Sequence, residues 1–411
     1  MRMRTVVLVL LAGIATDLRG SLAAEPAASE PAAASALVPV KAFTDKDLPE
    51  PEPGKPAWAA GNQWSYGVAI YDKWVYAASN AEYLLQFKTD PATAGLTYQG
   101  ATSFNHHDPE KGVGVTLSIR RPADGSAMLY LRAGSHGPPL FQWYAIDKQT
   151  GKLTLKGKQL PVKLGLGVLT PDQSRCYQMA GDATLVWCRF DEDGAPVEEG
   201  RTAAHARNRY GPMVLSPDGR NLYMMDGAGR VDAYACDPRS GKPTYISTLD
   251  LQPTLQMDSG LLPLSPDGRH LYVFNGGWAE KQTPDRFCVL GRDPEEGALT
   301  MLAGGKAAAA FTGLGGPPWS RGGRFAFAAD GKSGCFLTLQ GYYHRPAVLG
   351  TFRRSPASGA LTITAHVSAR ALGAARFAFD GDNGNLFAVG PRISSFKVRS
   401  GVKAAGPGEG G

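Results

Sequence analysis

The chain has 411 residues, of which 43% are hydrophobic and 19% charged, a composition typical of globular proteins rather than disordered or fibrous ones. The formal net charge is +6, and no dense cluster of Lys and Arg occurs anywhere in the sequence. A dispersed excess of this size disfavours a nucleic-acid-binding protein, whose basic residues concentrate on one surface. We therefore predict no nucleic-acid partner.

The N-terminal residues are predicted to be an export signal. Arg2 and Arg4 give a basic start, residues 5–15 are a run dominated by apolar side chains, and small residues precede Ala24. A membrane anchor needs about 20 apolar residues, and this run is too short. We expect residues 1–23 to be a signal peptide, the protein to be secreted or periplasmic, and no stable membrane insertion.

Three further segments follow the signal in the predicted domain organisation. Residues 24–60 are rich in Ala, Pro and Glu, which predicts a spacer that buries too little apolar surface to fold. Within it, residues 37–43 (LVPVKAF) form one strand-like run. Residues 61–401 contain the folded domain, and residues 402–411 are predicted to be a flexible tail.

An internal repeat dominates residues 61–401. Its clearest copies begin SPDGRNLYMM and SPDGRHLYVF, and each continues through a variable loop, a third apolar segment, a turn of the type Asp-Pro-x-x-Gly and a fourth segment. The Pro-Asp-Gly turns favour tight reversals between short strands. An aromatic anchor is assigned to the second strand of seven copies, at Tyr76, Tyr130, Tyr177, Tyr223, Tyr272, Phe327 and Phe387.

Seven four-stranded units predict an all-β chain folded as a seven-bladed β-propeller with antiparallel blades. One such sheet cannot bury both faces alone, whereas radial packing buries each face against a neighbour. A linear solenoid is the alternative. The seventh copy ends after its third strand, so we expect residues 37–43 to add the missing outer strand and close the ring, with Pro39 tolerated on an outer edge.

The five cysteines leave two interpretations open. They are Cys176, Cys188, Cys236, Cys288 and Cys335, with no C-x-x-C spacing of a metal site. In an oxidising compartment, Cys176 and Cys188 are the most plausible disulfide, because twelve residues bring neighbouring strands side by side. Equally, all five fit as small buried hydrophobic side chains.

The repeat S-P-D-G-R-x-L-Y, followed by D-P-x-x-G-x-L-T, resembles that of the seven-bladed lactonase-like propellers, which include bacterial 6-phosphogluconolactonase and muconate-lactonising enzymes. The resemblance covers residues 62–400 and implies the fold together with a lactone-directed activity. In that family Gly-Pro-Arg-His typically opens a blade, and its Arg and His are the implied catalytic or binding groups. The corresponding openings are read here at residues 210–213, 259–262 and 315–318, and each lacks the Arg-His pair.

We expect the site in the loops that join strand two to strand three and strand four to the next blade, since these share one face of a propeller. Imidazole and carboxylate groups suit general base chemistry, and Arg suits contact with a carboxylate. The predicted catalytic residues are His106, His107 and Glu280. The predicted substrate-binding residues are Arg207, Arg209, Tyr210, His136, Tyr342, His344 and Arg345. The alternative is that these side chains are only solvated or hydrogen bonded.

Two functions remain open at this stage. The first is an exported lactonase-like propeller that hydrolyses a lactone at the loop face of the central channel. The second is a non-catalytic propeller that binds a small molecule, glycan or protein on the same face. We expect a monomer with no cofactor. We also expect no metal, because the acidic segment at residues 380–385 coincides with an ordinary turn of the repeat.

Overall fold

The computed structural model describes fifteen segments of the chain, which are residues 34–48, 67–78, 83–104, 115–133, 140–159, 167–180, 183–205, 212–226, 229–251, 260–275, 287–304, 324–340, 345–368, 376–390 and 392–402. These segments contain 28 β-strands and one short 3-10 helix, Asp45–Asp47. None of their helices has the length and apolarity that a membrane crossing requires. The predicted signal peptide, most of the spacer and residues 403–411 lie outside the described residues.

The strands form seven separate four-stranded antiparallel sheets, here called blades 1 to 7. Each blade is given from its inner to its outer strand. Blade 1 contains β2 (Gly67–Tyr71), β3 (Trp74–Ala78), β4 (Tyr83–Thr89) and β5 (Leu96–Ser103). Blade 2 contains β6 (Val115–Arg120), β7 (Met128–Ala133), β8 (Leu140–Ile146) and β9 (Leu153–Gln159). Blade 3 contains β10 (Val168–Leu169), β11 (Arg175–Ala180), β12 (Thr184–Phe190) and β13 (Pro196–Ala203).

The remaining blades repeat this order. Blade 4 contains β14 (Met213–Leu215), β15 (Asn221–Met225), β16 (Arg230–Cys236) and β17 (Pro243–Asp250). Blade 5 contains β18 (Gly260–Leu261), β19 (His270–Asn275), β20 (Phe287–Arg292) and β21 (Leu299–Gly304). Blade 6 contains β22 (Arg324–Phe327), β23 (Ser333–Gln340), β24 (Arg345–Arg354) and β25 (Leu361–Ser368). Blade 7 contains β26 (Arg376–Asp380), β27 (Asn385–Val389), β28 (Ile393–Val402) and β1 (Ala34–Phe43).

The chain is a seven-bladed β-propeller with four-stranded antiparallel blades. Strand β1 pairs antiparallel with β28, with Phe43 opposite Ile393 and Leu37 opposite Val398, so the outer strand of blade 7 comes from the N-terminal part of the chain. This strand is longer than the predicted run, because it begins at Ala34 rather than at residue 37. Its ladder shifts register between Pro39 and Lys41, where proline has no N–H to donate.

Blade 6 corrects one sequence assignment. Phe327, taken as the aromatic anchor of the second strand, ends the inner strand β22. The anchor is Phe336 on β23, which pairs with Phe325. Two glycines before Arg324 look like the first turn of the blade in the sequence, but the turn that is formed follows Phe327 and contains Gly331 with φ 63°. The opening of this blade therefore directly precedes Arg324 and does not lie at residues 315–318.

Apolar side chains fill the spaces between the blades. A separate buried cluster lies at each of the seven boundaries between neighbouring blades, including the boundary between blades 7 and 1. In that last cluster Phe43 of β1 and Phe387 of β27 pack with Phe87 of β4. Because each sheet alternates its side chains between two faces, every blade needs both of its neighbours to exclude water.

The same hydrogen bond joins blades 1 to 6 at five successive junctions. The hydroxyl of the second-strand tyrosine donates to the carbonyl of a glycine in the turn between the third and fourth strands of the next blade. These pairs are Tyr76 with Gly151, Tyr130 with Gly194, Tyr177 with Gly241, Tyr223 with Gly297 and Tyr272 with Gly359, at 2.7–2.9 Å. Gly297 has φ 73°, and a Cβ atom there would collide with Asn221 of the preceding blade. The turn thus fits its neighbour only as glycine.

Buried arginines reinforce two of these junctions. Arg292 of blade 5 reaches Asp218 at 2.9 Å and the Tyr223 hydroxyl at 3.0 Å in blade 4. Arg354 of blade 6 reaches Asp267 at 2.7 Å and the Tyr272 hydroxyl at 3.0 Å in blade 5. Each guanidinium is nearly fully buried, so its carboxylate partner offsets a large desolvation cost.

We predict that Asp267→Asn lowers the free energy of unfolding by about 2 kcal/mol, because it removes the charged partner of the buried Arg354. Burial alone would raise the pKa of Asp267, but hydrogen bonds from Ser265 and Arg354 hold it below its usual value. The carboxylate thus stabilises the fold above about pH 4, and this contribution is lost as pH falls through the lowered pKa. Urea unfolding at pH 7 and in the acid range measures both effects.

Asp172→Asn is the matched control for this prediction. Asp172 occupies the same turn in blade 3 and accepts hydrogen bonds from Thr170 and Ser174. The position on blade 4 that corresponds to Arg354 is Cys236, which brings no charge to Asp172. An equal loss of stability in both variants would show that the turn, rather than the ion pair, is responsible.

Candidate functional site

The two faces of the propeller differ in the segments they carry. The turns between strands one and two and between strands three and four lie on one face, here called the turn face. The connections between strands two and three and between successive blades lie on the other, here called the loop face. Every inner strand follows the outer strand of the preceding blade, so its first residue lies towards the loop face and borders the central channel.

Two arginines occupy such first positions on neighbouring inner strands, and we call them the channel arginines. Arg324 begins β22 of blade 6, and Arg376 begins β26 of blade 7. Alternation along the strands puts Arg324 on the side of blade 6 that packs against blade 7, opposite in direction to Phe325. It puts Arg376 on the side of blade 7 that packs against blade 1. They lie near the mouth of the channel on the two sides of blade 7.

The electrostatics of the channel arginines are unusual for this residue type. Burial lowers the pKa of Arg324. Burial, and secondly the charge of Arg324, lowers the pKa of Arg376 to about 9. Both side chains nevertheless keep part of their surface accessible to solvent. A lowered pKa together with partial exposure is expected where side chains line a narrow concave space. A pKa of about 9 leaves the Arg376 guanidinium charged at neutral pH, so two like charges lie close together in a poorly solvated place.

An anion is the ligand that this arrangement favours. Two guanidinium groups close together repel each other, and a carboxylate or an oxyanion beside them would reduce this repulsion. Arg also matches the planar geometry of a carboxylate through paired N–H donors. Among the described residues of the inner strands, the channel arginines are the only charged side chains at the loop-face end.

A second polar group lies towards the loop face in the crevice between blades 3 and 4. Asp232 of β16 is 3% exposed, and its Oδ1 atom accepts a hydrogen bond from the Thr248 hydroxyl at 2.5 Å. Its buried Oδ2 atom has no hydrogen-bond partner. The imidazole of His205, at the end of the blade 3 outer strand, stacks on Tyr245 with ring centroids 3.8 Å apart. Burial raises the pKa of Asp232, and the charge of Asp226 adds to this effect.

Asp226 itself has a structural role. It directly follows β15, the second strand of blade 4. In the structure it is 3% exposed and forms an ion pair with Arg230 at 2.6 Å across the short connection to β16. It also accepts the backbone N–H of Arg230 at 2.9 Å. These contacts hold the connection in place, so Asp226 is not directed towards a ligand.

Nearly all residues predicted for the site from the sequence lie outside the described residues. These are the predicted catalytic residues His106, His107 and Glu280, and the predicted binding residues Arg207, Arg209, Tyr210, His136, Tyr342 and His344. Arg345 begins β24, where its backbone pairs with Gln340 at the loop-face end of blade 6. The structure therefore leaves these assignments as predictions. Within the described part of the chain, no group of three or more His, Cys, Asp or Glu side chains is arranged to hold a metal ion.

Sequence reasoning missed the channel arginines. Both precede the same tripeptide, Phe-Ala-Phe, at residues 325–327 and 377–379. The repeated Arg-Phe-Ala-Phe was a usable signal, because it marks equivalent positions on two blades. The wrong strand assignment for Phe327 concealed this equivalence.

The described strands define a class, the seven-bladed β-propellers with four-stranded antiparallel blades. Comparison with known proteins agrees with this fold. No protein-family model matches the chain, and no curated protein sequence matches it. Solved structures do match, and they include lactonase-like propellers. The identities are low, so these matches show the fold alone.

Three of these structures illustrate the range of matches. The periplasmic gluconolactonase PpgL of Pseudomonas aeruginosa is 18% identical, covers 74% of this chain and 85% of its own, and has a TM-score of 0.53. A Bacteroides fragilis protein provisionally assigned as a 6-phosphogluconolactonase is 16% identical over 84% and 97% of the two chains, with a TM-score of 0.53. The propeller domain of Cps50 (Swd1) from Myceliophteria thermophila is 14% identical over 82% and 97%, also with a TM-score of 0.53.

We predict that Asp232→Asn stabilises the protein at pH 7 by an amount on the order of 1 kcal/mol, because it removes a buried charge whose Oδ2 atom has no partner. The folded pKa of Asp232 is raised, so the wild type loses stability relative to the variant as pH rises above about 4. Thermal unfolding from pH 4 to pH 7 measures this gap. Asp226→Asn should instead destabilise, since it breaks the ion pair with Arg230. A loss of stability in Asp232→Asn at pH 7 would contradict the assignment.

Proposed function

We propose that this protein is an exported lactonase-like propeller that binds a lactone at the mouth of the central channel and hydrolyses it to the hydroxy acid. One observation carries the proposal: the two channel arginines, Arg324 and Arg376, lie on neighbouring inner strands at the loop face. The product of lactone hydrolysis is a carboxylate, and the intermediate is an oxyanion. Both are the anionic groups that this pair favours.

The only reactant that the reaction needs besides the lactone is water. The oxygen of water bonds to the lactone carbonyl carbon, and the carbonyl oxygen becomes an oxyanion that the channel arginines stabilise. The ring C–O bond then breaks, and the departing oxygen takes a proton to become the hydroxyl of the product. A general base must accept the proton of the attacking water. His106, His107 and Glu280 remain the sequence-based candidates for that role.

Export is part of the proposal. It is supported by the basic and apolar start of the chain in residues 1–15 and by the small residues before Ala24. The periplasmic location of PpgL, which shares the fold, agrees with this destination. A lactone available outside the cytoplasm is therefore the substrate class to test first.

A binding protein without catalysis is the second candidate. It is favoured by the absence of Arg-His at the blade openings and by the nature of the described inner strands, whose loop-face charges are both cationic. Such strands would bind an anion, and the described residues at their loop-face ends include no base. In this version a small molecule, a glycan or an acidic side chain of a protein would occupy the channel arginines.

We predict that Arg324→Gln and Arg376→Gln each lower kcat/KM for lactone hydrolysis about a hundredfold, the effect typical of removing one oxyanion donor. The purified protein is assayed against simple and sugar lactones, and binding of the product acids is measured by calorimetry. Arg220→Gln is the matched control, since Arg220 is an exposed arginine at the turn face.

Two outcomes separate the candidates. If no lactone is hydrolysed but acids bind to the wild type and not to the channel variants, the non-catalytic binding protein is correct. If the channel variants and the Arg220 control behave like the wild type in both assays, the channel arginines are not the site and both candidates are wrong about its location.

A further inference from the structure

Blade 3 contains two thiols on adjacent strands. Cys176 of β11 and Cys188 of β12 are directly opposite in the antiparallel register. Opposed residues point to the same side of a sheet, with Cα atoms about 4.5 to 5.5 Å apart. That separation lies within the range of about 4.4 to 6.8 Å that a disulfide bridges. The other cysteines lie singly in blades 4, 5 and 6.

The surroundings bring the two sulfur atoms together. Both residues are 0% exposed, and they form a small cluster with Val186 on the side of blade 3 that faces blade 2. The Nε2 atom of Gln178 donates to the Cys188 sulfur at 3.4 Å. A hydrogen bond between the two thiols raises the pKa of Cys176 and lowers that of Cys188. The structure contains both as thiols, so they are reduced but already in contact.

A disulfide between Cys176 and Cys188 would stabilise blade 3 at its weakly supported second strand. Its inner strand β10 has only two residues, as does β18 of blade 5, whereas the inner strands of blades 1, 2 and 7 have five or six. Strand β11 therefore has little support on its channel side. A covalent link from β11 to β12 would compensate, because it restricts the unfolded chain and fixes the register of the two strands.

We propose that Cys176 and Cys188 are a disulfide site, oxidised when the chain folds in an oxidising compartment. Each thiol loses one hydrogen, and one S–S bond forms. A small-molecule disulfide such as oxidised glutathione takes up the two electrons and two protons and becomes two thiols. Because both sulfur atoms are buried in the folded blade, the exchange takes place before blades 2 and 3 pack together. Cys236, Cys288 and Cys335 stay reduced.

The direct test counts thiols. The full chain is refolded in a glutathione redox buffer, unfolded without reductant, alkylated and digested, and its peptides are identified by mass spectrometry. We expect three alkylated cysteines out of the five and one cross-linked peptide pair that contains Cys176 and Cys188. Five alkylated cysteines, or a different pair, would overturn the proposal.

A stability measurement with paired variants completes the test. The midpoint of thermal unfolding is compared with and without dithiothreitol, so that any cavity made by a substitution cancels. We expect reduction to lower the midpoint of the wild type and of the Cys236→Ala/Cys288→Ala control by several degrees, and to leave Cys176→Ala/Cys188→Ala unchanged. If the wild-type midpoint is the same with and without dithiothreitol, no disulfide stabilises the oxidised protein.

Discussion

The structure depends on one constraint: a four-stranded blade has two apolar faces and cannot bury either alone. Each blade must therefore dock on both neighbours, and the tyrosine-to-glycine hydrogen bond sets how it docks. The bond from Tyr223 to Gly297 and its four equivalents join the middle of one sheet to the outer turn of the next. Burial raises the pKa of Tyr223 to about 12, so the hydroxyl stays protonated and keeps donating at physiological pH. These bonds lie towards the turn face and leave the loop face free to vary.

The pattern changes where the ring closes. Phe336 and Phe387 replace the tyrosine in blades 6 and 7, and blade 7 has no turn between its third and fourth strands, because β1 arrives from the N-terminal side. A hydroxyl on Phe336 would thus have no glycine carbonyl to reach. At the next boundary Lys397 donates instead to the carbonyl of Pro91, at 2.9 Å. The channel arginines flank this same blade on the opposite face. The ring therefore departs from the tyrosine repeat in the same blades in which the loop-face end of the inner strand is charged.

The sequence predicted the number of blades and strands well because turns repeat: Ser-Pro-Asp-Gly and Asp-Pro-x-x-Gly lie at strand ends in blades 4 and 5, and weaker copies lie at strand ends of other blades. It failed at blade 6, where Ala-Ala-Asp-Gly weakens the turn signal and Phe327 resembles an anchor. The site was harder to predict, since pairing between distant strands decides which polar residues meet. Nothing local distinguishes Asp232 from other strand residues, and only the fold shows that it is buried. Arg324 and Arg376 are 52 residues apart, and only radial packing makes them neighbours.

The positive net charge of the domain also favours anion binding at the channel. Desolvating two guanidinium groups is costly, and the ion pairs of Arg292 and Arg354 show how this fold normally offsets that cost, with an aspartate from the preceding blade. Those pairs stabilise the turn face whether or not a ligand is present. The channel arginines belong to the other face, in a domain whose net charge is positive. A positive net charge produces an electric field that attracts anions. This field is strongest at a narrow opening whose walls have a low dielectric constant. Arginine thus has a structural role at the turn face, and ligand binding at the loop face is our proposal for the channel arginines.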